Sequence, residues 1–286
     1  MEIAVRANAK LAEGPRWDAA ARRLLWVDIE GCELHVLENG QDRAIGLDAM
    51  VGAAAPTNSG GVLVALADRL ALLDPADESV RTLVRLPHGP ALRSNDGACD
   101  AAGRFWIGTM ALDETPGAGA LYRYDASLER VLDEVTLSNG IGWTRDATRM
   151  YYIDSPVQRV DLFDFELASG RVDNRRPFVS IDESDGIPDG LTVDDEGGVW
   201  VALYGGSCVH RYDESGHLDA VLEVPAKNVT SCCFGDGDGS SLFVTTAAPD
   251  GNVYVTQPGV SGPPAHVFHA GGTRTAPSEA DETSAR

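Results

Sequence analysis

The sequence predicts an all-β fold, a six-bladed β-propeller with four antiparallel strands in each blade. Three observations predict it. Strand-like runs recur six times at near-constant spacing, most follow an Asp/Gly/Asn-rich turn, and no segment sustains an apolar period of 3.6. In chain order the runs are Leu24–Asp28, Val62–Leu66, Arg104–Thr109, Met150–Asp154, Val199–Leu203 and Leu242–Thr246. Their markers, Trp26, Val64, Trp106, Tyr152, Trp200 and Phe243, stand 38, 42, 46, 48 and 43 residues apart. That spacing is close to the roughly 40–50 residues of a four-stranded blade.

A second β-type run follows each marker: Glu33–Leu37, Leu70–Asp74, Leu121–Asp125, Arg159–Glu166, Val209–Asp213 and Asn252–Thr256. Each alternates apolar with polar residues, as half-buried strands do. A β-sandwich has no reason to repeat aromatic-centred strands six times at one spacing. One propeller domain is therefore expected over residues 1–270. Residues 271–286, rich in Ala, Ser, Thr and Glu, are expected to form a mobile C-terminal tail.

Composition narrows the partners. Of 286 residues, 43% are hydrophobic and 23% charged, as in an ordinary globular protein, and the formal net charge is −21. Such acidity excludes nucleic acid, whose phosphates need a Lys/Arg stripe, and an anionic membrane surface. A neutral small molecule is unaffected. The first ten residues lack the apolar region of a signal peptide, and Asp68 and Arg69 interrupt the longest apolar stretch. Cys32, Cys99, Cys208, Cys232 and Cys233 are odd in number and scattered, which reads as reduced thiols in the cytoplasm.

Several chemistries lack their motifs. No GxSxG, HExxH, Walker A or GxGxxG occurs. His266 and His269 have no acidic partner nearby in sequence and read as surface residues. The run Gly235 to Gly239 begins like a calcium loop, but Ser241 and Ala247 stand where Gly and Glu are required, so it reads as a turn.

Four motifs remain: Ala12-Glu13-Gly14-Pro15, Arg93-Ser94-Asn95-Asp96-Gly97, Ser138-Asn139-Gly140-Ile141 and Ile187-Pro188-Asp189-Gly190-Leu191. Glu13, Asn95, Asn139 and Asp189 precede the marker residues of their blades by 13, 11, 13 and 11 residues. Equivalent positions in a propeller point the same way, so these groups are expected at one mouth of the channel. Any one Asn-Gly or Asp-Gly is an ordinary turn signal; four in register are not. Glu13, Asn139 and Asp189 form a hard-oxygen set suited to a divalent cation such as Ca²⁺, Mn²⁺ or Mg²⁺.

The ordered series, Glu13 to Trp17, Arg93 to Met110, Asn139 to Trp143 and Pro188 to Trp200, resembles the gluconolactonase/regucalcin (senescence marker protein) family. Val229-Thr230-Ser231 and Leu242 to Ala247 fit its last blade, so the resemblance covers about residues 11–268. It implies a propeller that hydrolyses a sugar lactone with one divalent metal ion, whether Ca, Mn, Mg, Zn or Fe. By motif position it places the metal on Glu13, Asn139 and Asp189. Substrate contacts fall on Arg93, Asn95 and Asp96, and on one further acid for which Asp113 and Glu114 compete. Ala98 departs from the family, where Lys often follows the NDG motif, and this puts substrate preference in question.

Lactone hydrolysis needs an activated water and stabilisation of the developing oxyanion. A metal would polarise the carbonyl, Asp189 would act as general base, and Arg93 and Asn95 would orient the ring. A non-catalytic calcium-binding propeller and a related propeller esterase or phosphotriesterase are the alternatives. Arg93 and Asn95 favour the lactonase, because a cation buffer has no need of them.

Overall fold

The computed structural model describes residues 1–271. The mobile-tail expectation therefore falls, from residue 272 onward, outside the described residues. Strand β1 (Glu2–Val5) is followed by the blades in order. Blade one is β2 (Ala12–Asp18), β3 (Arg23–Asp28), β4 (Glu33–Glu38) and β5 (Gln41–Gly46). Blade two is β6 (Val51–Pro56), β7 (Val62–Leu66), β8 (Arg69–Leu73) and β9 (Val80–Arg85). Blade three is β10 (Leu92–Cys99), β11 (Phe105–Ala111), β12 (Gly119–Asp125) and β13 (Ser127–Val135). Blade four is β14 (Ser138–Trp143), β15 (Arg149–Asp154), β16 (Arg159–Glu166) and β17 (Arg171–Ser180). Blade five is β18 (Ile187–Val193), β19 (Val199–Tyr204), β20 (Cys208–Tyr212) and β21 (Leu218–Glu223). The last blade takes β22 (Val229–Gly235), β23 (Ser241–Thr246) and β24 (Val253–Thr256), and β1 completes it as the outermost strand.

The fold is a six-bladed propeller in which every sheet has four antiparallel strands. Closure comes from β1 pairing with β24, Glu2 opposite Val255 and Ile3 opposite Tyr254. Strands β2, β6, β10, β14, β18 and β22 form the inner ring, each packed on the next, with β22 returning to β2.

The marker runs are the second strands, β3, β7, β11, β15, β19 and β23. They read as unbroken apolar runs because neighbouring blades cover both their faces; every residue of β3, β7, β11 and β23 is buried. The outermost strands face solvent and are polar, as in β21, which is exposed at all but one position. The core is six apolar slabs, one at each blade interface: Leu25, Val27, Val51 and Val64 between blades one and two, for example, and Trp106, Trp143 and Tyr152 between three and four.

Buried carboxylates lock the turns ahead of two marker strands. Asp100 Oδ2 accepts from Arg104 Nε at 2.7 Å and Trp106 Nε1 at 2.9 Å. Asp194 Oδ2 accepts from Arg211 Nε at 2.7 Å and Trp200 Nε1 at 2.8 Å. Both aspartates belong to the motifs that carry the family resemblance, and each ties together groups of its own blade. The segment from Ser261 to Ala270 crosses the far end of the channel. It bonds Asp195 in blade five, Gly239 in blade six, Trp17 in blade one and Pro56 in blade two, and Gly103 in blade three.

Candidate active site

Inner strands carry the side chains singled out in the sequence: Glu13 on β2, Arg93 and Asn95 on β10, Asn139 on β14 and Asp189 on β18. The Asn-Gly and Asp-Gly pairs are not turns. They lie inside strands, at register shifts between Glu13 and Arg16, Ser94 and Gly97, Ser138 and Ile141, and Pro188 and Leu191. Such irregularities re-aim a side chain out of the pleat. The glycines serve close approach between blades. A Cβ on Gly140 would stand 2.8 Å from the Asp189 carbonyl oxygen, and one on Gly190 2.5 Å from Ser231 Cβ.

One cavity of about 370 Å³ takes all five side chains into its wall, together with Glu114. Asn95 links its members. Its Oδ1 accepts from Arg93 Nη1 at 2.6 Å, and its Nδ2 donates to Asn139 Oδ1 at 2.7 Å and to the Ser138 carbonyl at 2.8 Å. Asn139 Nδ2 donates to Ser155 Oγ at 2.7 Å, and that hydroxyl donates to the Pro188 carbonyl at 2.6 Å, next to Asp189. A polar chain thus runs from blade three through blade four to blade five.

Two expected substrate contacts differ in placement. Glu114 is in the cavity wall, whereas the exposed Asp113 accepts from the Thr115 hydroxyl at 2.7 Å. Asp96 is not in that wall. Its carboxylate turns below the cavity to Arg16 Nη2, 3.1 Å away, and accepts from Gly97 N at 2.7 Å. The register shift between Ser94 and Gly97 turns Asn95 toward the cavity and Asp96 away from it. Sequence reasoning missed Ser155, Lys10, Glu30 and Tyr204, which also line the cavity. Ser155 had a faint signal, directly following a marker strand; the other three come from loops or a strand end and had none.

The electrostatics of the floor are those of crowded carboxylates. Burial, then the Asp96 charge, push Glu13 up to about 7. Burial, then Glu13, raise Asp189 well above the usual carboxylate range, and the two carboxyls share a hydrogen bond. Burial lowers Arg93, against the pull of Glu13. Asp189 Oδ1 is buried with no hydrogen-bond partner. An orphaned carboxylate oxygen beside a second carboxylate and an amide oxygen is the donor set that a divalent cation satisfies. Among the described residues no three His, Cys, Asp or Glu side chains gather as a metal cage, so Asn139 is the third oxygen donor available here. The residues present fit such an ion.

A profile described as SMP-30/Gluconolactonase/LRE-like region matches residues 11–248. The chain belongs to this family. The putative sugar lactone lactonase YvrE of Bacillus subtilis (strain 168) is 38% identical over 248 residues, 84% of each chain. Regucalcin of Danio rerio is 36% identical over 254 residues, 86% of each chain. Among solved structures, a calcium-binding protein, regucalcin, from Agrobacterium tumefaciens superimposes with a TM-score of 0.91 at 28% identity, covering 94% of this chain and 97% of that one. Family membership thus includes relatives named for lactone hydrolysis and relatives named for calcium binding.

Proposed function

We propose that the protein hydrolyses a sugar (aldono) lactone to the aldonic acid, with one divalent cation held by Glu13, Asn139 and Asp189. The observation that carries the reading is the pairing, in one cavity, of that oxygen set with Arg93 and Asn95, a combination that a cation buffer does not require. When bound, the cation supplies Lewis acidity at the lactone carbonyl. Asp189, at the floor, takes a proton from the attacking water and can return it to the ring oxygen as the acyl C–O bond breaks. Arg93 and Asn95, tied by their 2.6 Å hydrogen bond, orient the ring oxygens, and Glu114 meets hydroxyls at the rim. The five cysteines are free thiols, in keeping with a cytoplasmic setting.

The regucalcin relatives favour a second reading, calcium binding without turnover. Acid release from a panel of aldonolactones, with added Ca²⁺, Mn²⁺, Mg²⁺ or Zn²⁺ and with chelator, separates the two. Metal-dependent hydrolysis of at least one lactone is expected. A metal-loaded protein that leaves every lactone at its uncatalysed rate would rule out the enzyme and leave the binding protein.

A further inference from the structure

We propose that Arg16 and Asp96 are positioning residues, an ion pair spanning the channel beneath the cavity that sets the strand bearing Glu13 against the strand bearing Arg93 and Asn95. The role rests on the reading of the cavity above as a metal-dependent site.

Arg16 belongs to β2 and Asp96 to β10, in blades one and three, which are not neighbours in the ring. The inner strand of blade two, β6, stands between them and reads Val-Gly-Ala-Ala-Ala-Pro. It offers no side chain to the site, but its small residues let the flanking strands close in. A Cβ on Gly52 would stand 2.7 Å from the Ser94 carbonyl carbon. The guanidinium crosses that narrowed space. Arg16 Nη2 reaches Asp96 Oδ1 and the Gly97 carbonyl, each at 3.1 Å, and Nη1 donates to the Pro15 carbonyl at 2.8 Å.

Both side chains are buried, Arg16 at 7% exposure and Asp96 at 4%. Arg16 faces a separate, smaller cavity of about 90 Å³ toward the far end of the channel, with Cys99, Trp143 and His266. Arg16 thus lines the lower cavity, and the pair lies behind the upper one, with the Asp96 charge felt by Glu13.

Position in the strands makes the pair more than a plug. Arg16 is the first paired residue after the register shift that presents Glu13, and Asp96 lies within the shift that presents Asn95. Each partner clamps the lower end of an irregular segment whose upper end carries a site residue. Without the clamp, that segment gains freedom where the pleat no longer fixes it. Side chains that hold metal-site residues from behind commonly change metal affinity 10–100-fold when removed.

The test uses Arg16→Met together with Asp96→Asn, so that no buried charge is left alone, and Asp96→Asn by itself. Mn²⁺ is titrated by calorimetry into each full-length variant, with thermal melts to confirm folding and KM and kcat measured on an aldonolactone. Expected is a folded double variant that binds Mn²⁺ about 10–100-fold more weakly than the parent, with Arg16→Lys partly restoring affinity in the Asp96 background. A folded double variant within twofold of the parent in Mn²⁺ affinity would overturn the proposal, leaving a purely structural ion pair. So would a raised KM in Asp96→Asn at unchanged Mn²⁺ affinity, which would make Asp96 a direct substrate contact. A parent that binds no Mn²⁺ removes the site that the pair is proposed to hold. If the parent binds Mn²⁺ but hydrolyses no lactone, the titration still decides the positioning role while the lactonase reading fails by itself.

Discussion

Stripping divalent cations should make the protein less stable as the solution becomes more alkaline, the reverse of what a paired surface carboxylate produces. Glu13 is nearly fully buried and is raised from an ordinary 4.5 to about 7, first by desolvation and then by Asp96. The unfolded chain loses this proton near 4.5, whereas the folded chain keeps it until about 7. Between those values the native state binds more protons, so unfolding free energy falls as pH rises. At about 1.4 kcal/mol per pH unit, the full effect of Glu13 is about 3 kcal/mol. For a chain of this size that is about 6–12 °C in Tm. Asp189, raised by burial and by Glu13, adds to the same slope. Lowered aspartates such as the exposed Asp113 ionise below the window and do not contribute to it, whereas His210 and His266, lowered by burial, oppose the slope within it and leave the carboxyls the larger share. Thermal melts in chelator at about pH 5 and pH 8 read the difference. Saturating Mn²⁺, which on the proposed reading is held by the deprotonated pair, should reverse the slope. Glu13→Gln should remove its share of the slope in chelator. A chelated parent whose stability is flat or rising across the window, or an unchanged slope in Glu13→Gln, would refute the reasoning.

Asp189→Asn, loaded with metal and with occupancy confirmed, should lose about 10²–10⁴ in hydrolysis rate, since an amide offers an oxygen but takes no proton; turnover like the parent would make Asp189 a ligand only. Arg93→Ala should raise KM while Mn²⁺ affinity measured by calorimetry stays near the parent's, because the hydrogen bonds from Arg93 toward Asn139 run through Asn95. Ser155→Ala should weaken Mn²⁺ binding about tenfold in the same titration, since the hydroxyl fixes the Asn139 amide at 2.7 Å. Asp100→Ala should cost about 3–5 kcal/mol in denaturant unfolding, because it leaves the buried Arg104 guanidinium without its carboxylate.

The blades were legible because each second strand is buried on both faces and so reads as an unbroken apolar run, as Leu24 to Asp28 does. The fourth strands were not. Strand β9 is exposed or half-exposed throughout, and an exposed edge imposes little on composition. The pairing of Glu2 with Val255 was also beyond sequence reading, since β1 is four residues of ordinary β character whose partner lies at the far end of the chain. At the candidate site, spacing from the markers brought out Glu13, Asn95, Asn139 and Asp189 because all four sit on the same strand of the repeat. It could not separate Asn95 from Asp96, which differ only in the direction a register shift gives them. Nor could it choose between Asp113 and Glu114, where the loop after β11 breaks the repeat and only the folded chain shows which residue faces the cavity.

The latch between β1 and β24 bears on how the molecule assembles. Blades one to five each arise from hairpins between consecutive strands, so their pairings are local. The sixth sheet must bring residues 2–5 to residues 253–256, the longest loop to be closed in the fold. Glu13 follows β1 at a distance of eight residues, and Thr230 of β22 holds the Ala12 carbonyl beside it at 2.6 Å. The carboxylate that blade one contributes is thus anchored at the seam of the ring. Removal of residues 2–5, none of which lines the cavity, should fray the seam and reach the floor of the cavity before it reaches any other blade. In this chain the competence of the pocket is also a report on whether the circle has closed.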